Sequence, residues 1–290
     1  MVMDQAHELR KRMKVEDNTD EAHTIGIFSG KGGVGKSNFA LNFSIGLAKQ
    51  GKKVLIFDLD IGMGNIDILL GLYPKQSLAT MLQSNLDISD IIEKGPSNLS
   101  YISGGTALSD FFHLSEEQLD YFTEQLSVVS EAYDYIIFDL GAGMSEEHLM
   151  FLAMTDECFV VSTTEPTSIT DAYAAMKHLL AEQPKANISL LVNRVANKDE
   201  ADLVFNRLHT VVEKFLGYQL NLLGSLPDDS AMTEAVKNQT PFYIHNSRSK
   251  LSKTMGKMVL DYLVKRNDEP AESSGGFVSK FKSIFNRKVD

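Results

Sequence analysis

With 290 residues, 43% of them hydrophobic, the chain has material for one large core, and no run of about 18 apolar residues or early signal-type apolar region suggests a membrane span or export. The net charge of −11 is uneven: residues 1–14 carry four basic and two acidic side chains and residues 275–290 four basic and one acidic, so the acidic excess lies between them and no nucleic-acid partner is expected. A single cysteine, Cys158, allows no intrachain disulfide and no cysteine-based cluster, which fits a cytoplasmic setting.

In chain order, residues 1–14 can form a short helix capped by Asp4, with Ala6, Leu9 and Met13 on one face, although their composition suits a disordered tail as well. Val15 to Ala22 reads as an acidic linker. Thr24 to Phe28 is a short buried strand, followed by a glycine-rich turn and an amphipathic helix with Phe39, Phe43 and Leu47 on one face. Lys53 to Asp58 is the next strand, and residues 60 to 98 read as a loop-rich insert. Further strands are expected at Leu99–Ser103, Tyr133–Leu140, Glu157–Thr163, Asn187–Asn193 and Asn221–Leu226. Helices are expected at Ser115–Ser130, Ser168–Glu182, Glu200–Leu216 and Ser249–Lys265. Such alternation predicts an α/β domain over residues 23–266, a doubly wound and mostly parallel sheet. A flexible linker, 267–276, then leads to a separate segment, 277–290.

The turn reads Gly30-Lys31-Gly32-Gly33-Val34-Gly35-Lys36-Ser37, matching GxxxxGK[ST] between a strand and a helix. Glycines let the backbone wrap a phosphate with its N–H groups inward, and the helix N-terminus adds partial positive charge. Lys36 can then reach the β- and γ-phosphates of ATP or ADP, the Ser37 hydroxyl can ligate Mg²⁺, and Asn38 continues the contact surface. Ligands of parallel sheets sit at strand carboxyl ends. Asp139 closes the apolar run Tyr135–Phe138 and is placed to hold Mg²⁺, whereas Asp58, after Val54–Phe57, suits a cap as well as a ligand.

Lys31, directly after the first glycine, makes the loop KGGVGKS, which resembles the deviant Walker A ATPases of the MinD/ParA group. In that group the early lysine crosses a two-fold interface to the partner's nucleotide, which implies a homodimer with ATP. Asp58-Leu59-Asp60-Ile61-Gly62-Met63-Gly64-Asn65-Ile66-Asp67 resembles the group's switch I. That implies that Asp60 orients the attacking water beside the metal and that Asn65 lies near the nucleotide. Asp139-Leu140-Gly141-Ala142-Gly143 resembles switch II, with glycine where most members carry proline. Asn193 and the Pro227-Asp228 loop match the group's adenine contacts, although Asn193 by itself reads as a capping asparagine.

Asp4-Gln5-Ala6-x-x-Leu9-Arg10 resembles the N-terminal motif of the FlhG (FleN/YlxH) branch, regulators of flagellar number and placement. The resemblance implies that this segment engages the signal-recognition-type GTPase FlhF, and that flagellar C-ring proteins are partners. In residues 277–290, Phe277, Val278, Phe281, Ile284 and Phe285 fall within an arc of roughly 120° on a helix. Lys280 and Arg287 border one side of that arc and Lys282 the other. This is the pattern of a helix lying on anionic lipid, and resembles the membrane-targeting helix ending MinD-group chains. Without lipid the apolar face must hide, in a groove on the body. Alternatives are a MinD-type division-site regulator, a ParA-type DNA partition ATPase, and a metabolic ATPase.

Overall fold

The computed structural model describes residues 21–60, 65–105, 115–268 and 276–289; the Asp4–Arg10 motif and most of the 267–276 linker lie outside them. The expected apolar runs become strands β1 (His23–Ser29), β2 (Val54–Leu59), β3 (Glu93–Lys94), β4 (Ser100–Ser103), β5 (Tyr135–Ala142), β6 (Glu157–Thr163), β7 (Ile188–Val195) and β8 (Asn221–Pro227). They form one sheet in the order β3-β4-β2-β5-β1-β6-β7-β8, parallel throughout except for the β3–β4 pair. The chain fills the β2 side first and returns past β1 to build the β6 side. The order therefore reverses at β1, and the crevice at its carboxyl end is where an α/β sheet binds ligands.

The helices are α1 (Lys36–Lys49), α2 (Ile66–Leu70), α3 (Leu78–Ser84), α4 (Ile88–Ile91), α5 (Glu116–Ala132), α6 (Glu146–Met154), α7 (Pro166–Glu182), α8 (Lys198–Leu216), α9 (Ser230–Lys237), α10 (Phe242–His245), α11 (Lys250–Asp268) and α12 (Phe277–Val289). On one face α1 and α11 cover the sheet: Phe39 and Phe43 stack at 5.4 Å, and Phe43 meets Phe159 and Tyr262. The other face is covered by α5 to α8 and by α12. Fully burying side chains of this size is worth about 1.5–3 kcal/mol each.

Several features differ from the sequence reading, which placed neither the edge strand β3 nor helices α9 and α10. Among the described residues the 60–98 insert contains three short α-helices and a 3₁₀ turn at Pro96–Asn98; α3 is started by a reciprocal capping box between Ser77 and Thr80. Helix α6 was missed because it is buried on several sides, so no 3.6-residue alternation shows. Ala22, assigned to the linker, is already part of the body: it is 3% exposed and its N–H donates to Ser130 O.

Candidate active site

The glycine loop leaves β1 and turns into α1. Gly33 and Gly35 have φ of +77° and +90°, in the left-handed region that glycine enters without a Cβ penalty. Lys36, 6% exposed, places Nζ 2.6 Å from Asp139 Oδ1 and 3.4 Å from Ser37 Oγ. Asp139 is fully buried within the second half of β5, and its Oδ2 has no hydrogen-bond partner among the described residues. A buried carboxylate with one orphaned oxygen is costly unless a cation or donor reaches it. That donor set fits phosphate and Mg²⁺. Among the described residues no three His, Cys, Asp or Glu side chains gather as a metal site. A divalent ion here would rest on Ser37 and a carboxylate, completed by phosphate and water oxygens, which is the ligation that Mg²⁺ favours.

Asp58 pairs with Asp139 across β2 and β5, and its carboxylate accepts from the N–H groups of Asn65 (2.8 Å), Ile66 (3.0 Å) and Asp60 (3.3 Å). The structure thus gives Asp58 the capping role, at the start of α2. Burial and the neighbouring Asp139 charge push its carboxyl up to about 7, against those three bonds. Asn65 turns its amide to Asp60 Oδ2 at 3.1 Å, so it holds the switch I aspartate in place. Asp60 also sits above its usual range through burial, with Lys36 pulling it down, Asp139 pushing it up and His148 pulling it down.

His148 had no place in the sequence reading. It lies in the first turn of α6, where Ser145 Oγ accepts from its N–H, and its ring is buried near Asp60. A Cβ added at Gly141 would lie 3.1 Å from His148 Nε2 and 3.2 Å from Asp60 Oδ1. Burial lowers the imidazole pKa, and Lys36 lowers it further, against the Gly143 carbonyl bond and the Glu147 and Asp60 charges. The only hint in the sequence is Ser145-x-x-His148, a cap pattern just after switch II.

Comparison with known proteins agrees with this geometry. The ParA family model, described as "NUBPL iron-transfer P-loop NTPase", matches residues 20–263. The antiactivator FleN of Pseudomonas aeruginosa is 32% identical over 240 residues, covering 83% of this chain and 86% of that one. The chain belongs to the MinD/ParA family of P-loop ATPases, in its FlhG (FleN/YlxH) branch. The flagellum site-determining protein YlxH of Helicobacter pylori is 33% identical over 225 residues, covering 77% and 76% of the two chains. In fold, the chain matches MinD of the Aquifex aeolicus MinC:MinD complex (TM-score 0.67, 23% identity, 87% and 98% covered). It matches MinD with Mg-ADP from Pyrococcus horikoshii equally well (TM-score 0.67, 21% identity, 86% and 100% covered). The iron transfer in the family description is not carried over. Cys158, the sequence's one cysteine, is 1% exposed, and burial pushes its thiol up to about 12.

Seen as a member of this family, the chain holds its signature lysine in a local ion pair. Lys31 Nζ donates to Glu165 Oε2 at 2.9 Å and to Thr167 Oγ1 at 3.0 Å, beside the start of α7. Asn193, assigned to the adenine, is engaged with the loop itself: its amide donates to Val34 O at 2.8 Å and its oxygen accepts from Arg194 N–H at 3.0 Å. Pro227 is buried at the end of β8 and Asp228 is exposed, its N–H bonded to Val195 O at 3.0 Å. Asp229 caps α9 and also accepts from Leu251 N–H, tying that loop to α11.

The tail segment is folded back on the body as α12. Phe281 meets Phe122 of α5 edge to face at 5.3 Å, and Phe277 lies 5.4 Å from Phe138, one residue before Asp139. Ile284 is partly buried against the same core. Lys280 Nζ is 2.7 Å from Asp156 Oδ1, and Lys282 is 3.7 Å from Asp120. Phe285 lies within α12, but its side chain is outside the described set. No described helix is long and apolar enough to cross a membrane.

Proposed function

We propose that this ATPase is a nucleotide-controlled switch of flagellar assembly. In this reading ATP brings two copies together, and hydrolysis separates them. The observation that carries it is the gathering of Lys36, Asp139 and Asp60 towards the carboxyl ends of β2 and β5, with Lys31 exposed at the rim. On ATP binding, Lys36 leaves Asp139 for the β- and γ-phosphates, freeing Asp139 to face Mg²⁺ beside Ser37. Ser37 and Asp139 would hold Mg²⁺ at this point, and the ion would supply positive charge against the phosphates. Asp60 orients a water whose oxygen bonds the γ-phosphorus as the bond to the β–γ bridging oxygen breaks. That electron pair leaves with ADP, and the water's proton ends on the released phosphate. Lys31 supplies positive charge to the partner's nucleotide, and Asn193 and the Pro227-Asp228 loop face the base.

The names of the FleN and YlxH relatives support a flagellar role. On this reading residues Asp4 to Arg10 engage FlhF, C-ring proteins are further partners, and α12 binds anionic lipid on the inner membrane face while ATP is bound. The test has two arms. Asp60→Ala with ATP should elute as a dimer and turn over slowly, while Lys36→Ala should neither bind ATP nor dimerise; a wild-type rate in Asp60→Ala overturns the switch assignment. A pull-down should then capture FlhF and C-ring proteins with the full chain and lose FlhF without residues 1–14. Capture of division-site proteins instead would favour the MinD reading, for which the 29% identity over 272 residues to Helicobacter pylori MinD speaks.

A further inference from the structure

The ring of His148 is buried and held by one hydrogen bond. Its Nδ1 lies 3.3 Å from the Gly143 carbonyl oxygen, which can only accept, so Nδ1 carries the proton. Burial and the nearby Lys36 charge disfavour the imidazolium, and the neutral ring so protonated presents a lone pair at Nε2. That nitrogen and Asp60 Oδ1 border one point, the place where a Cβ of residue 141 would stand, at 3.1 and 3.2 Å. Asp60 is itself held by Asn65 at 3.1 Å. Any side chain at position 141, a proline ring included, would crowd His148 Nε2 and Asp60 Oδ1, the two acceptors that converge beside the glycine. Glycine there has no φ requirement of its own, since 141 is not among the positive-φ glycines; what needs it is the close approach of His148 and Asp60.

We propose that His148 is a positioning residue for hydrolysis, its Nε2 and the Asp60 carboxylate each accepting one hydrogen of the attacking water. Two acceptors fix both O–H bonds and turn the oxygen's lone pair toward the γ-phosphorus. With Asp60 alone the water keeps a rotation that must be frozen at the moment of attack. His148 takes no part in bond making; the bonds formed and broken are those already described for Asp60. The inference rests on the switch reading of Asp60, and Gly141 is the residue that makes room for it.

Two substitutions separate positioning from packing. His148→Asn keeps an amide that can reach Gly143 O and removes the acceptor at the Nε2 position. His148→Gln gives up the Gly143 bond and returns an amide oxygen near Nε2. Each is measured for ATP binding, ATP-dependent dimerisation on a sizing column, and kcat and KM. His148→Asn should bind ATP and dimerise like the native chain, with kcat lowered about ten- to a hundredfold and KM within about twofold. His148→Gln should recover most of that kcat. The reverse order, an active Asn and an inactive Gln, makes the histidine a structural bond to Gly143 and overturns the inference, as does a wild-type kcat in both. If both variants fail to fold, Gly141→Ala decides: its methyl intrudes between the two acceptors with His148 intact. It should dimerise with ATP and lose kcat, and a wild-type rate there overturns the inference. A wild-type rate in Asp60→Ala would instead sink the underlying switch reading, so the two failures are distinguishable.

Discussion

Lys31 and Lys36 sit five residues apart on one loop and meet opposite environments. Lys36 is buried on Asp139, whereas Lys31 is 40% exposed and paired with a Glu165 that is itself 60% exposed. The Lys31 hydrogen bond and charge hold the Glu165 carboxyl below its usual range, yet solvent and salt screen such a surface pair, and its contribution to stability is small. Its consequence is instead a local competition: Lys31 must leave Glu165 and Thr167 before it can reach a partner's nucleotide. Glu165→Ala should therefore leave the fold and ATP binding intact and raise the fraction of ATP dimer at a given protein concentration, by about two- to fivefold in the dimerisation constant. Analytical ultracentrifugation of an Asp60→Ala background checks it; an unchanged or weaker dimer would show that the ion pair does not compete with the interface. At this scale the sequence was informative where a motif fixes spacing. Lys36 and Asp139 were legible from strand–loop–helix spacing, whereas Lys31 and Asp60 were picked out through the family resemblance. Glu165 and His148 were not: only packing brings Glu165 to Lys31 across 134 positions, and His148, though close to switch II in sequence, belongs to no motif that marks it.

Among the elements, α12 is the one whose environment the sequence left open. Its apolar arc of Phe277, Phe281 and Ile284 could be read from the 100° spacing, but spacing alone cannot say whether such an arc meets lipid or protein. The groove that receives it is made by Phe122, Phe138 and Phe151, from three separate elements, and no local pattern announces it. The polar end of the dock is Asp156. Burial alone would raise its carboxyl, but the Lys280 ammonium and the Thr24 N–H and hydroxyl, with His23 nearby, bring it below the usual range. A depressed carboxylate stabilises above its unfolded pKa of about 3.9 and loses that contribution as pH falls through the folded value. Hydrogen exchange of the 277–289 amides should thus be insensitive to this group between pH 8 and pH 5 and should accelerate only below about pH 4. Asp156→Asn should remove the charge assistance at neutral pH and speed exchange of the same amides by about ten- to a hundredfold, for a charged hydrogen bond worth about 1.5–3 kcal/mol. Unchanged exchange would mean that the phenylalanines alone hold the helix.

Across the whole molecule, Phe138 connects the dock to the nucleotide site. It is the residue before Asp139 on β5 and touches Phe57 at 5.2 Å, Phe151 at 5.6 Å and Phe277 at 5.4 Å. Helix α6, which carries Phe151, begins three residues after switch II and also carries His148. A rearrangement that moves Asp139 off Lys36 therefore acts on a strand and a helix that both line the α12 groove. On the proposed membrane role, lipid must compete with this groove for the same phenylalanines. One short helix binds a bilayer weakly, and two held in an ATP dimer gain by effective concentration. Asp60→Ala should sediment with anionic liposomes in ATP and much less in ADP, with the binding falling as salt rises. Removing residues 277–290 should abolish it. Asp156→Asn leaves every lipid-facing residue in place and weakens the dock, together with the Asp156 bonds to Thr24 at the start of β1. Added to Asp60→Ala, it should raise the ADP-state binding toward the ATP level, about tenfold if the dock is the main restraint. If ATP and ADP give equal binding from the start, the nucleotide does not control α12. If Asp156→Asn changes nothing while ATP still promotes binding, avidity alone carries the nucleotide dependence and the groove plays no part in it.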